Sequence, residues 1–488
     1  MAIVALAAGL VLSPRITVTL AVAAVTLLFV FTTMVRLVYL YRGYRIVRSR
    51  LSPPAILPRE PPRYTVLVPL YHEANVVAPL CDALAALSYP SERLEVLLLV
   101  EHDDPETYAA CAAHLRPSWR IIVVPEGVPR TKPRALNVGL AHASGELVTI
   151  FDAEDRPEAD QLAKAAEAFD RLPPKVAALQ ARLDFYNQGQ NPLTKWFTCE
   201  YLTHFGLYLE GIAGYRHPMP LGGTSTHFRT DAIRAIGGWN AWNVTEDCEL
   251  GMRLAAEGFD SLVLDSVTWE EAVPRPRAWV LQRSRWVKGF AQTGLVLLRR
   301  PIKTARAMGP VRYGSSLAVV ASVPATLCAQ IVFWATLCAY ILLHTFVGSV
   351  HAIKAVFPEP FLTLGLASLL FGNFAILLAF VSAVYERGRF ELVRWSVVVP
   401  VYWLFMSVAA WKGVLQLLRR PHFWEKTTHG MAAEPAAATS ERPSLVPLPT
   451  TQEGDANGVP PYAPSANGRG DADRAPTAPE DRVEDLSG

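Results

Sequence analysis

The stretch QRSRWVKG, residues 282–289, concentrates cationic, amide and aromatic side chains within a short length of chain. On a helix, Gln282 and Arg285 are three residues apart and share a face, with Trp286 one step round. An arginine guanidinium binds phosphate through two parallel hydrogen bonds, and a tryptophan ring stacks on a flat group. The pattern therefore indicates a phosphate site beside a stacking platform. The alternative is the positively charged flank of a membrane helix with an interfacial tryptophan.

Acidic residues follow three apolar segments of the chain. Glu73 follows the first, Glu101 and Asp103 follow the second, and Asp152 and Glu154 follow the fourth. One acidic segment end would be an ordinary cap or turn. Because ligands of parallel sheets bind beyond the carboxyl ends of the strands, three such ends predict a site. Clustered carboxylates need a cation, and their oxygens suit Mg²⁺ or Mn²⁺.

The elements that must position these residues alternate along residues 60–300. The predicted strands are YTVLVPLYHEAN, LEVLLLVEHDD, WRIIVVPEG and ELVTIFDAEDRP. A helical pattern follows the first strand as far as Leu87, and PRALNVGLAHASG, with proline near its start and glycine after its end, reads as a helix before the fourth. This alternation predicts an α/β fold with a mostly parallel sheet and helices on both faces.

Apolar blocks on either side of this domain predict membrane helices. Residues 16–35 are long enough to cross about 30 Å of hydrocarbon. The arginines of residues 36–50 follow directly, which places that side in the cytoplasm by the positive-inside rule. The later blocks are residues 314–346, 361–385 and 395–418.

Composition limits the remaining possibilities. The chain of 488 residues is 51% hydrophobic and carries a net charge of +2, without a basic stripe beyond residues 282–289, so no nucleic acid is expected. Its six cysteines lack metal-ligand spacing, and reduced buried thiols are predicted. Residues 431–488 are rich in Pro, Ala, Gly, Ser and acidic residues, a composition typical of disorder.

A series of motifs in the order of the chain resembles family 2 glycosyltransferases, specifically the membrane-embedded processive synthases of cellulose, hyaluronan and chitin type. The motifs are VLVPLYHEAN, VEHDD, TKPRALN, FDAED, LGGTSTHFR, TED and Q-x-x-R-W. The resemblance covers residues 64–430. It implies a GT-A-type sheet domain at residues 60–300, flanked by an amino-terminal transmembrane segment in residues 1–50 and transmembrane helices in residues 301–420.

The resemblance also implies how a nucleotide sugar is bound. The residues expected around the nucleotide base are Tyr71, Glu73, Glu101 and Asp103. The family usually has aspartate at the position of Glu101. Lys132 and Arg134 would approach the diphosphate, although a helix start exposed to solvent would also carry such residues.

Asp152 begins the segment that resembles the family's D-x-D metal site. Glu154 stands in the second acidic place and Asp155 follows, so this chain departs from the pattern and either residue could be the second ligand. Mg²⁺ or Mn²⁺ held by Asp152 and Glu154 would neutralise the diphosphate as it leaves.

The TED motif resembles the catalytic base of the family. Asp247 would take a proton from the acceptor hydroxyl as that hydroxyl attacks the sugar. Thr245, Glu246 and Gly223 would lie beside the acceptor, and the glycine would let a sugar approach the backbone. The alternatives are a helix N-cap at Asp247 and an ordinary glycine turn.

Returning to residues 282–289, the resemblance implies that Gln282 and Arg285 bind the departing diphosphate. Trp286 would stack under the acceptor sugar. The membrane-flank interpretation explains the charge of this stretch but not the spacing of the glutamine and the tryptophan, so we favour the site.

The segment FWEKTTHG resembles the gating loop of the synthases, in which Phe423, Thr427 and Thr428 would close over the donor within residues 421–430. A cytoplasmic loop requires an even number of crossings after the domain. Pro324 leaves two alternatives for residues 314–346: an interfacial piece with one span, or two short spans. We expect the tail of residues 431–488 to be cytoplasmic, which requires two short spans in residues 314–346.

The expected protein is an integral membrane enzyme of a bacterial-type plasma membrane with a cytoplasmic catalytic domain. It would transfer a sugar, with UDP-glucose or a related compound as donor, to a growing β-linked polysaccharide with inversion, and export the product. The alternative is a non-processive transferase that adds one sugar to a lipid-linked acceptor.

Overall fold

Eight strands form one sheet in the structure, a computed structural model that describes residues 11–50 and 57–420. They are β1 (Tyr64–Leu70), β2 (Leu94–Glu101), β3 (Trp119–Val124), β4 (Leu147–Ile150), β5 (Arg156–Pro157), β6 (Val176–Phe185), β7 (Thr226–Arg229) and β8 (Asp260–Glu270). The four predicted strands are confirmed as β1 to β4. The strands after β4 were not predicted.

Helices of more than one turn lie before, between and after the strands. They are α1 (Pro14–Ser49), α2 (Val77–Ala85), α3 (Pro105–Ala113), α4 (Lys132–His142), α5 (Gln161–Arg171), α6 (Pro192–Thr203), α7 (Leu209–Gly214), α8 (Thr230–Ala235), α9 (Glu246–Ala256), α10 (Pro276–Arg299), α11 (Pro301–Met308), α12 (Pro310–Ser316), α13 (Val323–Leu342), α14 (His351–Val356), α15 (Phe361–Ala367), α16 (Asn373–Glu386), α17 (Val393–Val397) and α18 (Val399–Arg419). Short π-helical turns at Leu317–Ala321 and Leu343–Val347 adjoin α13, and another at Ser368–Gly372 joins α15 to α16.

The strand order is β3-β2-β1-β4-β7-β6-β8-β5. The first four strands pair in parallel, and β6 pairs in parallel with β8. Strand β7 runs antiparallel to both β4 and β6, and β5 runs antiparallel to β8. The prediction of a mostly parallel sheet is therefore confirmed, with two antiparallel strands that the alternation did not indicate.

Both faces of the sheet are covered by helices, as predicted. Side chains alternate across a strand, so neighbours on β1 enter different cores. Val66 packs in a cluster with Leu80 of α2 and Phe169 of α5, whereas Leu67 packs in another with Leu136 of α4. The six cysteines all lie in the described part of the chain and are unpaired, as predicted. Four are buried, but Cys328 is half-buried and Cys338 is exposed on the apolar helix α13, so the prediction of buried thiols is wrong for these two.

Within residues 11–50 and 57–420, four helices are long and apolar enough to cross a membrane: Pro14–Ser49, Val323–Val347, Phe361–Glu386 and Val399–Arg419. The arginine-rich end of the first packs on the sheet domain, where Arg50 forms a bidentate ion pair with Glu210 of α7 at 2.5 and 2.6 Å. Helix α1 can approach α7 closely because Gly43 and Gly211 lie at the contact, where a Cβ atom would overlap the facing backbone.

The alternative of two short spans in residues 314–346 is wrong for this structure. One helix long enough to span a membrane begins at Val323. Pro324 lies in its first turn, where the backbone N–H that proline lacks has no partner within the helix. The preceding residues form α12 and a π-helical turn. Three candidate spans thus follow the sheet domain, although the third, α18, also packs along α10.

Contacts between α18 and α10 occur in both halves of α18. The Tyr402 ring lies 4.9 Å from that of Trp279, and the Lys412 ammonium donates to the Ser284 hydroxyl at 3.3 Å. Gly413 allows the two backbones to approach at Ser284, because a Cβ atom there would lie 2.5 Å from the Ser284 carbonyl oxygen.

Candidate active site

A cavity of about 460 Å³ collects residues from the sheet edge, from α9 and α10, and from the candidate membrane helices. Of the predicted site residues, those that line it are Tyr71, Glu73, Glu101, Lys132, Asp152, Glu154, Gly223, Thr245, Glu246, Asp247, Gln282, Arg285 and Trp286. Arg134 and Asp103 are absent from the described lining. Phe423, Thr427 and Thr428 lie outside the described residues, as does the tail of residues 431–488.

The end of the cavity at which binding of the base is predicted lies beyond the carboxyl ends of β1 and β2. Burial raises the pKa of Glu101, and the guanidinium of Arg134, at 2.8 Å, opposes this shift. Arg134 also donates to the carbonyl of Pro125 at 2.7 Å, so its guanidinium is engaged within the domain. Arg130, which was not predicted, lines the cavity and donates to the hydroxyl of Tyr71 at 3.3 Å and to Asp103 at 2.5 Å.

Lys132, at the first turn of α4, joins the donor end of the cavity to the TED motif. Its ammonium is ion-paired with Asp152 and donates to the carbonyl of Gly223 at 2.8 Å. Burial alone would lower the pKa of Lys132, but the carboxylates of Asp152 and Glu246 raise it above its ordinary value. A cation that is fixed and charged is suited to a leaving diphosphate.

Four carboxyl groups converge beyond the ends of β4 and β8: Asp152, Glu154, Asp155 and Glu270. Burial, followed by the charges of Asp155 and its neighbours, raises the pKa of Glu270 well above its usual range. One Asp155 oxygen accepts from the Asp152 amide at 2.7 Å and from the Thr224 hydroxyl. The other is buried without a hydrogen-bond partner among the described residues.

This donor set fits a hard divalent cation, because clustered carboxylates call for positive charge. Asp152 and Glu154 line the cavity, whereas Asp155 is 1% exposed and is absent from the described lining. The geometry therefore favours Glu154 over Asp155 as the second residue that could hold a metal.

Asp247 lies in the first turn of α9 and lines the cavity. The N-cap of this helix is Thr245, so the N-cap alternative does not apply to Asp247. A Cβ atom on Gly223 would lie 3.2 Å from the Asp247 carboxylate, which shows that the glycine backbone faces this group closely. Burial raises the pKa of Asp247, and burial together with the Asp247 charge raises the pKa of Glu246 to about 7.

The α10 residues Gln282, Arg285 and Trp286 all line the cavity, which supports the site interpretation of this stretch. The Trp286 ring lies 6.3 Å from the nearly parallel ring of Tyr201 and 6.4 Å from that of Phe197. The amide oxygen of Gln282 is buried without a hydrogen-bond partner among the described residues, so it can accept from a hydroxyl in the cavity.

The cavity extends beyond these groups to the candidate membrane helices. Its lining includes Thr33 of α1, Gln330 of α13 and Asn373 of α16. The Gln330 amide donates to the Asn373 side-chain oxygen at 3.4 Å. Polar side chains are costly in apolar surroundings and face interior cavities when they occur there.

Part of the chain is similar to a known protein family. Residues 147–353 match the family model described as glycosyl transferase family group 2. This match covers less than half of the chain, and these residues are similar to the family 2 glycosyltransferases.

Curated relatives are similar over part of their length. The probable glycosyltransferase YdaM of Bacillus subtilis is 25% identical over 259 residues, 51% of this chain and 60% of that protein. The β-monoglucosyldiacylglycerol synthase of Trichormus variabilis is 28% identical over 239 residues, 47% and 49% of the two chains. Glucomannan 4-β-mannosyltransferase 2 of Arabidopsis thaliana is 28% identical over 293 residues, 57% and 53% of the two chains. The chain thus spans only about half the length of these relatives.

Among solved structures, the mannosyltransferase PcManGT from Pyrobaculum calidifontis in complex with GDP-Man and Mn²⁺ aligns with a TM-score of 0.44 and 22% sequence identity. The alignment covers 72% of this chain and 99% of that chain.

Several residues that line the cavity were not predicted from the sequence. They are Arg130, Glu200, Glu270, Glu271 and Arg283. Glu270 and Glu271 lie at the carboxyl end of β8, as the predicted carboxylates lie at the carboxyl ends of β2 and β4, so predicting β8 would have revealed them. Arg283 lies inside the quoted motif, but its contact with Glu200 joins residues 83 positions apart.

Proposed function

We propose that the protein is an inverting, metal-dependent glycosyltransferase that extends a β-linked polysaccharide and passes it between its own membrane helices. The donor would be a nucleotide sugar, UDP-glucose or a related compound. The observation that carries this proposal is the single cavity that holds Lys132, Asp152 and Asp247 and also reaches polar side chains of α1, α13 and α16.

In the proposed reaction, an acceptor hydroxyl attacks the anomeric carbon of the donor sugar while the bond to the diphosphate breaks. The hydroxyl proton passes to the Asp247 carboxylate, which acts as general base. A single displacement of this kind inverts the configuration at the anomeric carbon. The buried position of Asp247 raises its pKa, which makes it a stronger base than an exposed aspartate.

The leaving diphosphate would be bound by the chain's own cations. Lys132 already lies between Asp152 and the Gly223 carbonyl, and Arg285 faces the same cavity. Asp152 and Glu154 would hold Mg²⁺ or Mn²⁺, which supplies charge neutralisation of the diphosphate when bound. The acceptor sugar would stack on Trp286. Gln282 would donate its amide N–H to the diphosphate, as the resemblance implies, and its buried amide oxygen would accept from a hydroxyl of the acceptor.

A second candidate function is transfer of one sugar to a membrane lipid. One relative is a β-monoglucosyldiacylglycerol synthase, and a cavity that reaches membrane helices would also admit a lipid headgroup. The polar lining contributed by Thr33, Gln330 and Asn373 favours the polysaccharide, because lipid tails gain nothing from polar neighbours.

The test is a donor panel with product sizing. Membranes containing the full chain are incubated with radiolabelled UDP-glucose, UDP-N-acetylglucosamine or GDP-mannose, plus Mg²⁺ or Mn²⁺. A labelled polymer that elutes in the void volume on gel filtration supports the polysaccharide synthase, and a short product extracted into organic solvent supports the lipid transferase. Absence of transfer from every donor would refute both.

For the membrane topology, we propose a cytoplasmic catalytic domain in a bacterial-type plasma membrane. The arginine-rich end of α1 contacts this domain through Arg50 and Glu210, and such ends lie inside. Helix α18 would lie along the membrane surface against α10, so that only α13 and α15–α16 cross after the domain and residues 421–430 can close over the donor. An Arg420→Cys variant should react with impermeant maleimide only in inside-out vesicles; reaction in right-side-out vesicles would contradict this topology.

A further inference from the structure

Arg283 is buried beneath the acceptor end of the cavity and has no role in the proposed reaction. It lies in α10 between Gln282 and Arg285 and is 3% exposed. Charged side chains are rarely buried to this extent unless they are paired. Its surroundings indicate what it does.

The Arg283 guanidinium is held in place by groups from two other helices. It donates to both carboxylate oxygens of Glu200 on α6, at 3.0 and 2.5 Å. It also donates to the Tyr402 hydroxyl of α18 at 3.2 Å, and that hydroxyl donates to Glu200 at 2.5 Å. A bidentate pair with a third partner leaves the guanidinium little freedom to rotate.

The same guanidinium lies against aromatic rings. Its central carbon is 4.3 Å from the ring centroid of Trp286 and 4.3 Å from that of Phe197. A cation within about 6 Å of a ring centroid attracts the face of the ring. Trp286 itself lines the cavity, so its contact with Arg283 restrains the platform on which a sugar would stack.

We propose that Arg283 is a positioning residue that holds Trp286 in the orientation required for acceptor binding, and that Glu200 and Tyr402 lock Arg283 for this purpose. The proposal deepens the proposed function and rests on it for its kinetic test. A guanidinium fixed by Glu200 and Tyr402 presents a constant surface to the indole ring. The acceptor would therefore meet a platform that is ordered before it binds.

The competing interpretation is that the ion pair only stabilises the fold. A matched control is available in Arg50 and Glu210, which also form a bidentate buried pair between helices but are absent from the described lining of the cavity. Removing one partner of a buried pair leaves an uncompensated charge, so both partners are neutralised together. The variants are R283M/E200Q and the control R50M/E210Q.

The kinetic test measures UDP-glucose transfer to cellotetraose by the full chain in proteoliposomes, with and without Trp286→Ala. We expect R283M/E200Q to raise the KM for cellotetraose about fivefold while the Kd for UDP stays within twofold. In the Trp286→Ala background the same pair of changes should add nothing further, because Arg283 acts through that ring. An additive effect, or an equal effect of R50M/E210Q, would overturn the proposal.

A spectroscopic test decides the proposal even if the proposed function fails. The full chain is labelled with 5-fluorotryptophan, and its Trp286 resonance is identified by loss in Trp286→Phe. We expect this resonance to shift or broaden in R283M/E200Q and to remain unchanged in R50M/E210Q. An unchanged Trp286 resonance in R283M/E200Q would show that Arg283 does not position the ring. Absence of transfer by the wild type in the donor panel would refute the proposed function separately.

Discussion

The donor end and the acceptor end of the cavity are built in different ways. At the donor end, Asp152 and Glu154 follow β4 directly, and Lys132 begins the helix that precedes this strand. At the acceptor end, Arg283 contacts Glu200 and Tyr402, which are 83 and 119 residues away along the chain. Most of the donor end is thus formed by neighbouring segments of one sheet edge, to which Gly223 and Glu270 are added from further along the chain. The acceptor end is formed by helices brought together from distant parts of the chain.

The two ends also differ in the interactions that they offer. Carboxyl groups dominate the donor end, where Asp152, Glu154 and Glu270 line the cavity and their clustered oxygens are suited to a cation. Aromatic rings dominate the acceptor end, where Trp286 and Tyr201 face a cavity that continues to the candidate membrane helices. A charged leaving group needs electrostatic stabilisation, and a sugar ring needs a flat apolar surface, so each end matches a different part of the proposed reaction.

The largest effect is expected where the two ends meet, at Asp247. Asp247→Asn should lower transfer by roughly 10²–10⁴-fold, because the amide cannot take the proton of the attacking hydroxyl. Nucleotide binding, measured by calorimetry with UDP, should stay close to that of the wild type. Wild-type turnover in this variant would remove the general base from the mechanism.

A somewhat smaller effect is expected at the donor end. Asp152→Ala, or chelation by EDTA, should lower transfer by roughly 10² or more, because charge neutralisation by a metal is worth several kcal/mol. Glu154→Ala should raise the metal concentration required for half-maximal activity. Full activity after chelation would contradict the metal assignment.

Asp155→Ala should instead lower the amount of folded protein, since the Asp155 carboxylate accepts hydrogen bonds from the Asp152 amide and the Thr224 hydroxyl.

At the acceptor end, Trp286→Ala should raise the acceptor KM about tenfold and leave donor binding within a few-fold, because loss of aromatic stacking worth about 1.4 kcal/mol weakens binding by a factor of about ten. Trp286→Phe should recover part of this loss. The measurement is product formed per inserted molecule. If the alanine variant inserts poorly but has normal specific activity, Trp286 is a membrane anchor and the contrast between the two ends fails.

The smallest effect is a shift in the pH dependence of transfer. Glu246 has a pKa raised to about 7 by burial and the neighbouring Asp247 charge, so the pair takes up a proton as the pH falls towards 7 and activity should decline there. Glu246→Gln removes one negative charge and should move this decline about one pH unit lower. A pH–rate profile of both proteins tests this. An unchanged profile would show that the charge of Glu246 does not affect the protonation of the base, Asp247.

The same raised pKa affects stability. A carboxyl with a folded pKa above its unfolded value favours the folded state when protonated, so this contribution is present below about pH 4.5 and is lost as the pH rises through about 7. The Tm of the wild type should therefore fall between pH 6 and pH 8 more than that of Glu246→Gln.

Much of the donor end could be predicted from the sequence because its signals are local. Apolar runs that end in acids predicted β1, β2 and β4 with their functional side chains, and the helix at Lys132 was confirmed. Strands β5 to β8 were missed because their order in the sheet follows from pairings between distant segments, such as β7 between β4 and β6. Because β8 was missed, Glu270, the fourth carboxyl group of the cluster, was missed as well.

The sequence by itself determined the alternating domain, the apolar blocks long enough to span a membrane and the residue types needed for phosphate and sugar binding, because these depend on periodicity, length and short spacing. The tertiary structure alone decided that Asp155 is buried while Glu154 faces the cavity, and that Arg283 meets Glu200, Tyr402 and Trp286. It also placed α18 against α10. These contacts join residues far apart in the sequence. They depend on the shapes, small residues and buried charges of whole helices that pack together, so no local pattern along the chain predicts them.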